Sequence, residues 1–362
     1  DELVNKLGDV LRADQLIARP EDLAAYECDA VSAYRQRPLA VALPEETSEV
    51  AAVIKVCAEL DIPIVPWGAG TGLSGGALAR EDGVVLSTAR MNGVLDIDLA
   101  NRTITVQPGV TNKGVSDAVA AYGFYYAPDP SSQIACSIGG NIAENSGGVH
   151  CLKYGLTTHN IVQIEIVTVE GERLTIGSSA LDSPGFDLLA LMTGSEGLLG
   201  VIVEVVVKLL PKPERAQVVL AAFDGVRKAG DAVAAIIQAG IIPAGLEMLD
   251  SPAIIATEEF VHADYPTDAA AILLCEVDGT HAEVDEHIAD VTAVVEREGA
   301  TEVRVSRDDA ERAVFWAGRK AAFPAMGRIS PDYYCMDGTI PRKALADVLI
   351  GIGELSKKYG QR

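Results

Sequence analysis

The stretch PDPSSQIACSIGGNIAENSGGVHCLKYGLTTHNI, Pro128–Ile161, decides how the rest of this sequence is interpreted. It contains five glycines, many small polar residues and a single lysine, and it shows no apolar periodicity. Inside a chain rich in valine, leucine and isoleucine, such a segment is more typical of a ligand-binding wall than of a linker. A flexible Gly/Ser loop is the alternative, but the interleaved Ile134, Ile138 and Ile142 argue against it, because linkers are poor in such residues.

Paired glycines indicate what kind of ligand this wall binds. Glycine lets the backbone approach another body closely and take positive φ angles. Gly139-Gly140 and Gly147-Gly148 therefore predict main-chain N–H groups turned toward a large flat or anionic group. Short neutral side chains accompany them: Ser131, Ser132, Asn141, Asn145 and Ser146. Neutral donors suit the diphosphate and heterocycle of a cofactor better than a substrate that needs strong charge neutralisation.

Length and charge exclude several classes of protein. The 362 residues suffice for about two domains with a well-buried core. A formal net charge of −23 disfavours nucleic-acid binding and electrostatic membrane attachment. The most hydrophobic run, Leu198–Leu210, is interrupted by Glu204 and Lys208 and is too short to span a bilayer, so no transmembrane segment is predicted. The six cysteines include no C-x-x-C pair, which argues against a metal site and is typical of a reducing compartment.

A second glycine-rich loop, WGAGTGLSGGA at Trp67–Ala77, follows a predicted strand–helix–strand unit. It contains a formal G-x-G-x-x-G at Gly70, Gly72 and Gly75, but the dinucleotide fingerprint needs a long helix that begins in the glycines. The strand GVVLS follows almost at once and leaves no room for that helix. We therefore expect the loop itself, without a helix end, to supply amides to a diphosphate. Neither Gly68–Gly76 nor Ser131–Gly140 contains Lys or Arg, so backbone amides of both loops are the predicted donors.

Periodicity predicts the remaining elements of the first half. They are the strands PLAVALP and IPIVP; the helix TSEVAAVIKVCAEL with Thr47 or Ser48 as N-cap; the hairpin VLDIDLANRTITVQPG; the helix TNKGVSDAVAAYG with Val115, Ala118, Val119 and Tyr122 inward; the hairpin IVQIEIVTV with ERLTI; and the helix DLLALM before a long strand.

The pattern of predicted strands and helices changes at Pro211–Pro213, where we place a domain boundary. Strands and helices alternate beyond it, which predicts an antiparallel or mixed sheet with helices on one face. The predicted elements are QVVLAAF, Asp224–Ala239 (helix), AGLEML, AAAILLCEVDG, a helix from Thr280 with a Thr280–Glu283 capping box, TEVRVS, Asp309–Met326 (helix), YYCMDGTI and Lys343–Tyr359 (helix).

Four segments together resemble one family over nearly the whole chain: PWGAGTGLSGGA, PDPSSQIACSIGGNIAENSGGVHCLKYG, TGSEGLLGVIVE and FWAGRKAAFPAMGRISPDYYCMDGTIPR. The sequence resembles the FAD-linked oxidases, whose fold is shared with p-cresol methylhydroxylase and vanillyl-alcohol oxidase. Within that family it is similar to the branch of glycolate oxidase D-subunits and D-lactate dehydrogenases. The resemblance implies an α+β fold, with a two-part FAD-binding domain at 1–210 and an α+β cap domain with a mostly antiparallel sheet at 211–362.

The resemblance also implies non-covalent FAD and oxidation of a D-2-hydroxy acid, glycolate or D-lactate, to the 2-oxo acid. Hydride would pass from the α-carbon to the flavin. The FAD-binding residues it implies are Pro66, Gly68, Ala69, Gly70, Thr71, Gly72, Ser74, Gly75, Gly76, Pro130, Ser131, Ser132, Gly139, Gly140, Asn145, Ser146, Gly147, Gly148, Tyr154, Gly155, Glu196, Gly200 and Ile202.

No catalytic base is expected within this chain. The family's histidines and glutamate near the flavin follow the position of Arg362, so we expect part of the cap domain to be missing. A covalent flavin tether at His150-Cys151 is disfavoured, because a buried pair of this kind is more often packing. His159 is interpreted as structural, and His262, His281 and His287 as solvated.

Arg319, in the W-x-x-R pattern that begins at Trp316, is the predicted substrate residue. A guanidinium fixes a carboxylate bidentately, and the resemblance implies an arginine at this position. The alternative is a helix-surface arginine paired with an acid such as Glu311 or Glu302.

Two further readings stay open. The chain could be a flavin-fold scaffold or assembly subunit without turnover, or its substrate could be D-2-hydroxyglutarate. The resemblance implies iron–sulfur or flavoprotein partner subunits that take the electrons. The expected location is the cytoplasm, or the inner membrane through those partners.

Overall fold

The computed structural model describes residues 2–178, 185–330 and 333–361. Helices run over Glu2–Val10 (α1), Pro20–Leu23 (α2), Thr47–Glu59 (α3), Asn112–Val119 (α4), Ile138–Glu144 (α5), Cys151–Tyr154 (α6), Thr157–Asn160 (α7), Leu188–Met192 (α8), Val226–Gln238 (α9), Ser251–Val261 (α10), His281–Arg297 (α11), Asp309–Lys320 (α12), Ala322–Ile329 (α13) and Leu345–Tyr359 (α14).

Strands run over Leu16–Ile17 (β1), Ala40–Ala42 (β2), Ile64–Trp67 (β3), Val84–Ser87 (β4), Val94–Asp98 (β5), Thr103–Val106 (β6), Phe124–Tyr125 (β7), Ile161–Val167 (β8), Arg173–Gly177 (β9), Val201–Lys208 (β10), Leu210–Pro211 (β11), Arg215–Phe223 (β12), Gly245–Asp250 (β13), Ala271–Gly279 (β14) and Glu302–Val305 (β15). The chain forms two compact units. The first contains the chain up to Gly148 together with Gly155–Lys212, and the second contains Val149–Tyr154 and the chain from Pro213 onward.

Two main sheets form the first unit. One has the order β1-β2-β4-β3, with β2 and β3 both parallel to β4, and the other is antiparallel with the order β5-β6-β10-β8-β9. The predicted strand–helix–strand unit is confirmed as β2, α3 and β3, because α3 packs its apolar side on the first sheet. The two predicted hairpins are β5–β6 and β8–β9.

Two local predictions in the first unit are wrong. The N-cap of α3 is Glu46, one residue before Thr47, because Glu49 accepts hydrogen bonds from the backbone N–H groups of Glu45 and Glu46. Tyr122 is 54% exposed and not inward. A 3₁₀ turn follows α4 and ends at Gly123 with φ 76°, which rotates Tyr122 off the buried face of the helix.

The second unit contains an antiparallel sheet of order β13-β14-β12-β15, so the mostly antiparallel α+β architecture is confirmed. Its helices cover both faces, however, and not one as predicted: α9 and α11 pack on one side, α10 and α12 on the other. The reason is visible in β12 and β14, whose apolar residues are buried at nearly every position and need cover on both sides.

Two further predictions in this unit need correction, and one helix was missed. The helix expected over Asp309–Met326 is divided at Ala321 into α12 and α13, and Pro324 fits the first turn of α13, where its missing N–H has no helical partner. YYCMDGTI forms no strand over its residues 333–340. Tyr333 and Tyr334, which would lie on opposite faces of a strand, are both exposed there, so neither face of the segment is buried. Helix α10 was not predicted, although Asp250 caps it by accepting from the Ala253 N–H.

None of the helices in the described ranges is both long and apolar enough to cross a membrane.

Candidate functional site

The first glycine loop along the chain, which contains Trp67–Ala77, has main-chain N–H groups without protein partners among the described residues. Residues 68–83 contain no helix, as the sequence predicts, and φ is 65° at Gly70 and 80° at Gly75. A Cβ on Gly70 would lie 2.4 Å from the Trp67 ring, so only glycine fits. Within the described ranges, the amides of residues 68–77 donate no hydrogen bond to a protein group. A row of open N–H donors is what an anionic group such as a diphosphate requires.

The sequence showed no apolar periodicity in Pro128–Ile161, the second glycine-rich stretch along the chain, but α5, α6 and α7 lie within it. Helix α5 begins after Ser137, whose Oγ accepts from the Gly140 N–H at 3.2 Å. Its Ile138 and Ile142 are fully buried, and their four-residue spacing was the helical signal that was missed. The Gly139 amide donates to Pro108 O at 2.9 Å. The amides of Gly139 and Gly140 are therefore occupied, and the prediction that they hold a diphosphate does not stand for these two.

The two loops approach each other at Gly68. A Cβ on Gly68 would lie 2.4 Å from Ser137 Oγ and 3.5 Å from the Gly140 Cα. Contact this close requires the absence of a side chain. Glycine at position 68 thus lets the first loop pack on the first turn of α5.

The third glycine segment, TGSEGLLG, binds to the other end of α5. The Glu196 amide donates to Ala143 O at 2.9 Å, and Glu196 takes a positive φ of 52°. A Cβ on Gly197 would lie 2.9 Å from the Pro66 ring. The structure therefore brings the three glycine-rich segments together, including the predicted residues Pro66 and Glu196.

Two carboxylates converge on the first loop. A Cβ on Gly76 would lie 3.0 Å from Glu196 Oε2 and 3.1 Å from Glu144 Oε1. Burial raises the pKa of Glu144, and the neighbouring charge of Glu196 raises it further, against a hydrogen bond from Ser74 Oγ at 3.2 Å. Glu144 and Glu196 thus place hydrogen-bond acceptors beside a loop whose open amides are donors.

Several of the other predicted cofactor residues already have structural partners. Asn145 Oδ1 accepts from the Thr158 N–H at 3.1 Å, and Ile202 belongs to the core beneath the five-stranded sheet. The Tyr154 hydroxyl donates to Asp278 Oδ2 at 2.6 Å within the second unit. Of the rest, Ala69, Thr71, Gly72 and Ser74 lie in the first loop, Pro130, Ser131, Ser132, Ser146, Gly147, Gly148 and Gly155 in Pro128–Ile161, and Gly200 directly before β10.

The second unit contains a buried carboxylate that the sequence interpretation missed. Glu276, in β14, is 2% exposed. His150 Nε2 lies 3.0 Å from its Oε1, Trp316 Nε1 donates to its Oε2 at 2.5 Å, and Arg312 Nη1 lies 3.3 Å from Oε2. Burial alone would raise the pKa of Glu276, but the His150 hydrogen bond and charge, with Arg312 and Trp316, lower it below its ordinary value.

A second acid of β14 holds the same short segment. Asp278 accepts from Lys153 Nζ at 2.5 Å and from the Tyr154 hydroxyl at 2.6 Å. Because Asp278 and Glu276 are two residues apart in a strand, they lie on one face. The hexapeptide Val149–Tyr154 is therefore fastened at both ends to β14.

Arg319 lies in α12, where its Nε donates to Glu247 Oε2 of β13 at 2.7 Å. The acids that the surface alternative named are paired elsewhere: Glu311 with Arg307, and Glu302 with Arg304. No other hydrogen bond to the Arg319 guanidinium occurs within residues 2–178, 185–330 and 333–361. Its Nη1 and Nη2 donors are therefore open.

Comparison with known proteins places this geometry in a family. Residues 38–177 match the FAD binding domain family, and residues 212–362 match the C-terminal domain of FAD linked oxidases. Glycolate oxidase subunit GlcD of Escherichia coli K12 is 61% identical over 348 residues, which are 96% of this chain and 70% of that protein. The chain belongs to the FAD-linked oxidase family. A D-lactate dehydrogenase of Anaerostipes hadrus is 32% identical over 87% of this chain and 68% of that protein.

The solved structure of p-cresol methylhydroxylase has the same fold as this FAD-linked oxidase. Its TM-score is 0.74 at 18% identity, over 88% of this chain and 68% of that one. The predicted resemblance, the α+β fold and the assignment as an FAD-dependent oxidoreductase are thus confirmed.

The residues of this FAD-linked oxidase fit the cofactor chemically. FAD carries an anionic diphosphate and several hydroxyl and N–H donors. The open amides of residues 68–77 suit the diphosphate, and the carboxyl oxygens of Glu144 and Glu196 suit the donors. A cradle that a Cβ on Gly70 or Gly76 would obstruct matches a ligand that approaches the backbone closely.

A sequence signal for the buried acids of the oxidase was present in AILLCEVDG. Glu276 and Asp278 interrupt an otherwise apolar strand at a spacing of two. Acids in such a strand are buried only when cations or other donors pair with them. Finding those partners required the fold, because His150 is 126 residues away in sequence.

Proposed function

We propose that this FAD-linked oxidase oxidises a D-2-hydroxy acid, glycolate or D-lactate, to the corresponding 2-oxo acid. The similarity to a glycolate oxidase subunit and to a D-lactate dehydrogenase supports this substrate class. FAD supplies the hydride acceptor when bound. A scaffold without turnover is the competing hypothesis.

The chain's own part begins with holding FAD without a covalent bond. The amides of Gly68–Gly76 are the donors for the diphosphate, since those of Gly139 and Gly140 already bind Pro108 and Ser137. The hydrogen bond of His150 to Glu276 supports a structural role for that histidine and not a flavin tether. Acid precipitation should release all of the flavin, and flavin left on the denatured chain would contradict non-covalent binding.

Arg319 holds the substrate carboxylate, and its open outer edge is the observation that carries the proposal. Nε is bound to Glu247, while Nη1 and Nη2 have no partner among the described residues. Two parallel N–H donors match the two oxygens of a carboxylate. Fixing the carboxylate orients the α-carbon and its hydrogen for transfer.

Anaerobic titration of the full-length protein separates enzyme from scaffold. Adding glycolate, D-lactate or D-2-hydroxyglutarate to the yellow protein should bleach the flavin absorbance with one of the first two most efficiently. Bleaching fastest with D-2-hydroxyglutarate would correct the substrate. No bleaching with any of the three would favour the scaffold.

Substitution of Arg319 tests its role in the same protein. Arg319→Ala should lower kcat/KM by roughly two to four orders of magnitude, because a charge-assisted bidentate contact and its alignment are lost. Arg319→Lys should recover only part, since an ammonium cannot reproduce the planar fork. Near-normal kcat/KM in Arg319→Ala with FAD still bound would assign the carboxylate to another residue.

Partner subunits carrying iron–sulfur or flavin chemistry are the proposed electron acceptors. The Escherichia coli relative is named as a subunit of glycolate oxidase, which supports an assembly of this chain with other subunits. Affinity purification from the native source should recover such partners. A homodimer with full oxidase turnover on O₂ would contradict this part of the proposal.

A further inference from the structure

The ion pair between Arg319 and Glu247 uses only one corner of the guanidinium. Glu247 Oε2 lies 2.7 Å from Nε, and within the described residues neither Nη1 nor Nη2 donates a hydrogen bond to Glu247. A guanidinium presents two edges, Nε with one Nη and the two Nη together. Glu247 thus binds at the inner edge and leaves the outer edge open.

Both partners are carried by elements that are themselves fixed. Glu247 faces Leu274 in the antiparallel pairing of β13 with β14. Helix α12 is held one turn before Arg319, where Trp316 Nε1 donates to the buried Glu276. The direction in which Glu247 turns the guanidinium is therefore set by the sheet and the helix together.

Stability alone does not explain this pair. The side chains of Arg319 and Glu247 are 33% and 24% exposed. Ion pairs that reach water contribute little to folding. The hydrogen bond at Nε mainly restricts the rotation of the long Arg319 side chain, and so fixes the orientation of its guanidinium.

We propose that Glu247 is a positioning residue for the oxidation of the 2-hydroxy acid. It fixes the inner edge of Arg319, so that Nη1 and Nη2 form a preset fork for the substrate carboxylate. This inference rests on the proposed function, because it assigns Glu247 a task only if Arg319 binds substrate.

The opposite role makes a different prediction. A carboxylate beside Arg319 could compete with the substrate for the cation, and its removal would then tighten substrate binding. Glu247→Gln separates the two roles, since an amide oxygen still accepts from Nε while the charge is gone. Glu247→Ala removes both the acceptor and the charge.

Steady-state kinetics with glycolate and D-lactate on the full-length protein test the inference. Glu247→Ala should raise KM about tenfold with kcat within about twofold, as expected when ground-state and transition-state binding are weakened alike. Glu247→Gln should stay within about threefold of wild type in KM because it keeps the acceptor. Asp347→Ala is the matched control: it breaks an exposed ion pair with Arg227 of the same 2.7 Å length and should leave both constants unchanged.

A double mutant excludes a merely structural role. In an Arg319→Ala background, adding Glu247→Ala should cause no further loss, because the residue that Glu247 positions is absent. An unchanged or lower KM in Glu247→Ala, or an equal loss in the Arg319→Ala background, overturns the positioning role. Absence of wild-type turnover with any 2-hydroxy acid overturns the proposed function and this inference together, whereas normal wild-type turnover with an unaffected Glu247→Ala overturns only the inference.

Discussion

The glycine-loop region of the first unit and the β13–β14 face of the second unit each contain a carboxyl group with a shifted pKa, and the shifts have opposite signs. Burial and the nearby Glu196 raise the pKa of Glu144. Burial would do the same to Glu276, but His150, Arg312 and Trp316 more than compensate and lower its pKa. The difference arises from partners and not from depth.

The two regions also differ in whether their polar groups have hydrogen-bond or ion-pair partners. In the first region, among the described residues, the amides of residues 68–77 have no protein acceptor, and Glu144 has one side-chain donor, Ser74, and no ion pair with a cation. In the second, Glu276 and Asp278 each have protein donors. A region left unsatisfied suits a group that arrives from outside, while a satisfied one fixes geometry. Arg319 combines the two, with one bound edge and one open edge.

Breaking the satisfied region should have the largest effect on folding. Glu276→Ala leaves Trp316 Nε1 and Arg312 without their buried acceptor, which costs about 3–5 kcal/mol for buried pairs. Arg312 and His150 are 31% and 26% exposed and reach water, so we expect about 3 kcal/mol, near the lower limit. Urea unfolding of the full-length protein at pH 7 measures it.

An exposed acid of the same unit serves as the control for Glu276→Ala. Glu302 pairs with Arg304 at 3.1 Å and is 48% exposed. Glu302→Ala should cost about 0–1 kcal/mol. Equal losses in the two variants would mean that the buried network contributes no more than a surface pair.

A substitution in the glycine-loop region, Gly68→Ala, should lower stability less than Glu276→Ala does but should weaken FAD binding more. A Cβ at Gly68 would meet Ser137 Oγ at 2.4 Å, so Gly68→Ala must displace the N-cap of α5, worth about 0.5–2 kcal/mol, and separate the two loops. We expect a flavin content below half of wild type, measured from the absorbance ratio after gel filtration.

The matched control for Gly68→Ala is Gly8→Ala in α1. Outside the backbone of α1 itself and the two neighbouring residues, no atom lies within 4 Å of a Cβ at Gly8, and alanine is favoured over glycine in a helix by about 0.5–1 kcal/mol. That variant should keep its flavin and gain slightly in stability. Full flavin retention in Gly68→Ala would show that the loop contact does not shape the cofactor site.

Elements with strong local signals were predictable from sequence. Helix α11 has both halves of its capping box, Thr280 and Glu283, within four residues of each other, and the structure has both hydrogen bonds. The hairpin β8–β9 follows from alternation and a short turn. The loop at Gly70 was correctly predicted to be non-helical, because the length available before β4 excludes a helix.

What the sequence did not predict depends on long-range contact. The partner of Arg319 is Glu247, 72 residues away, and nothing local distinguishes it from Glu311 or Glu302. The attachment of Val149–Tyr154 to β14 is of the same kind. The continuous apolar runs of β12 and β14 did indicate that helices pack on both faces of the sheet. The prediction of helices on one face relied on the alternation of strands and helices instead.

The smallest expected effect tests the comparison itself, through the pH dependence of stability. The lowered pKa of Glu276 means that its contribution is fully present above its ordinary value of 4.5 and is lost as pH falls through the folded-state pKa. The raised pKa of Glu144 has the opposite sign: its penalty is absent below 4.5 and grows as pH rises through the folded-state pKa.

Glu144→Gln should therefore stabilise the full-length protein at pH 8, and by less at pH 4.5. We expect a gain of roughly 1 kcal/mol or less, because the side chain is only partly buried and the amide still accepts from Ser74. Glu276→Gln should destabilise at pH 8 and approach wild type only below pH 4.5, as the pH falls through the lowered folded-state pKa of Glu276. Urea midpoints of the three proteins, measured from pH 8 down to the lowest pH at which the wild type stays folded, give the comparison. Curves of the same slope for both variants would mean that the two carboxyl groups are solvated alike, and the contrast between an unsatisfied and a satisfied region would then have no energetic basis.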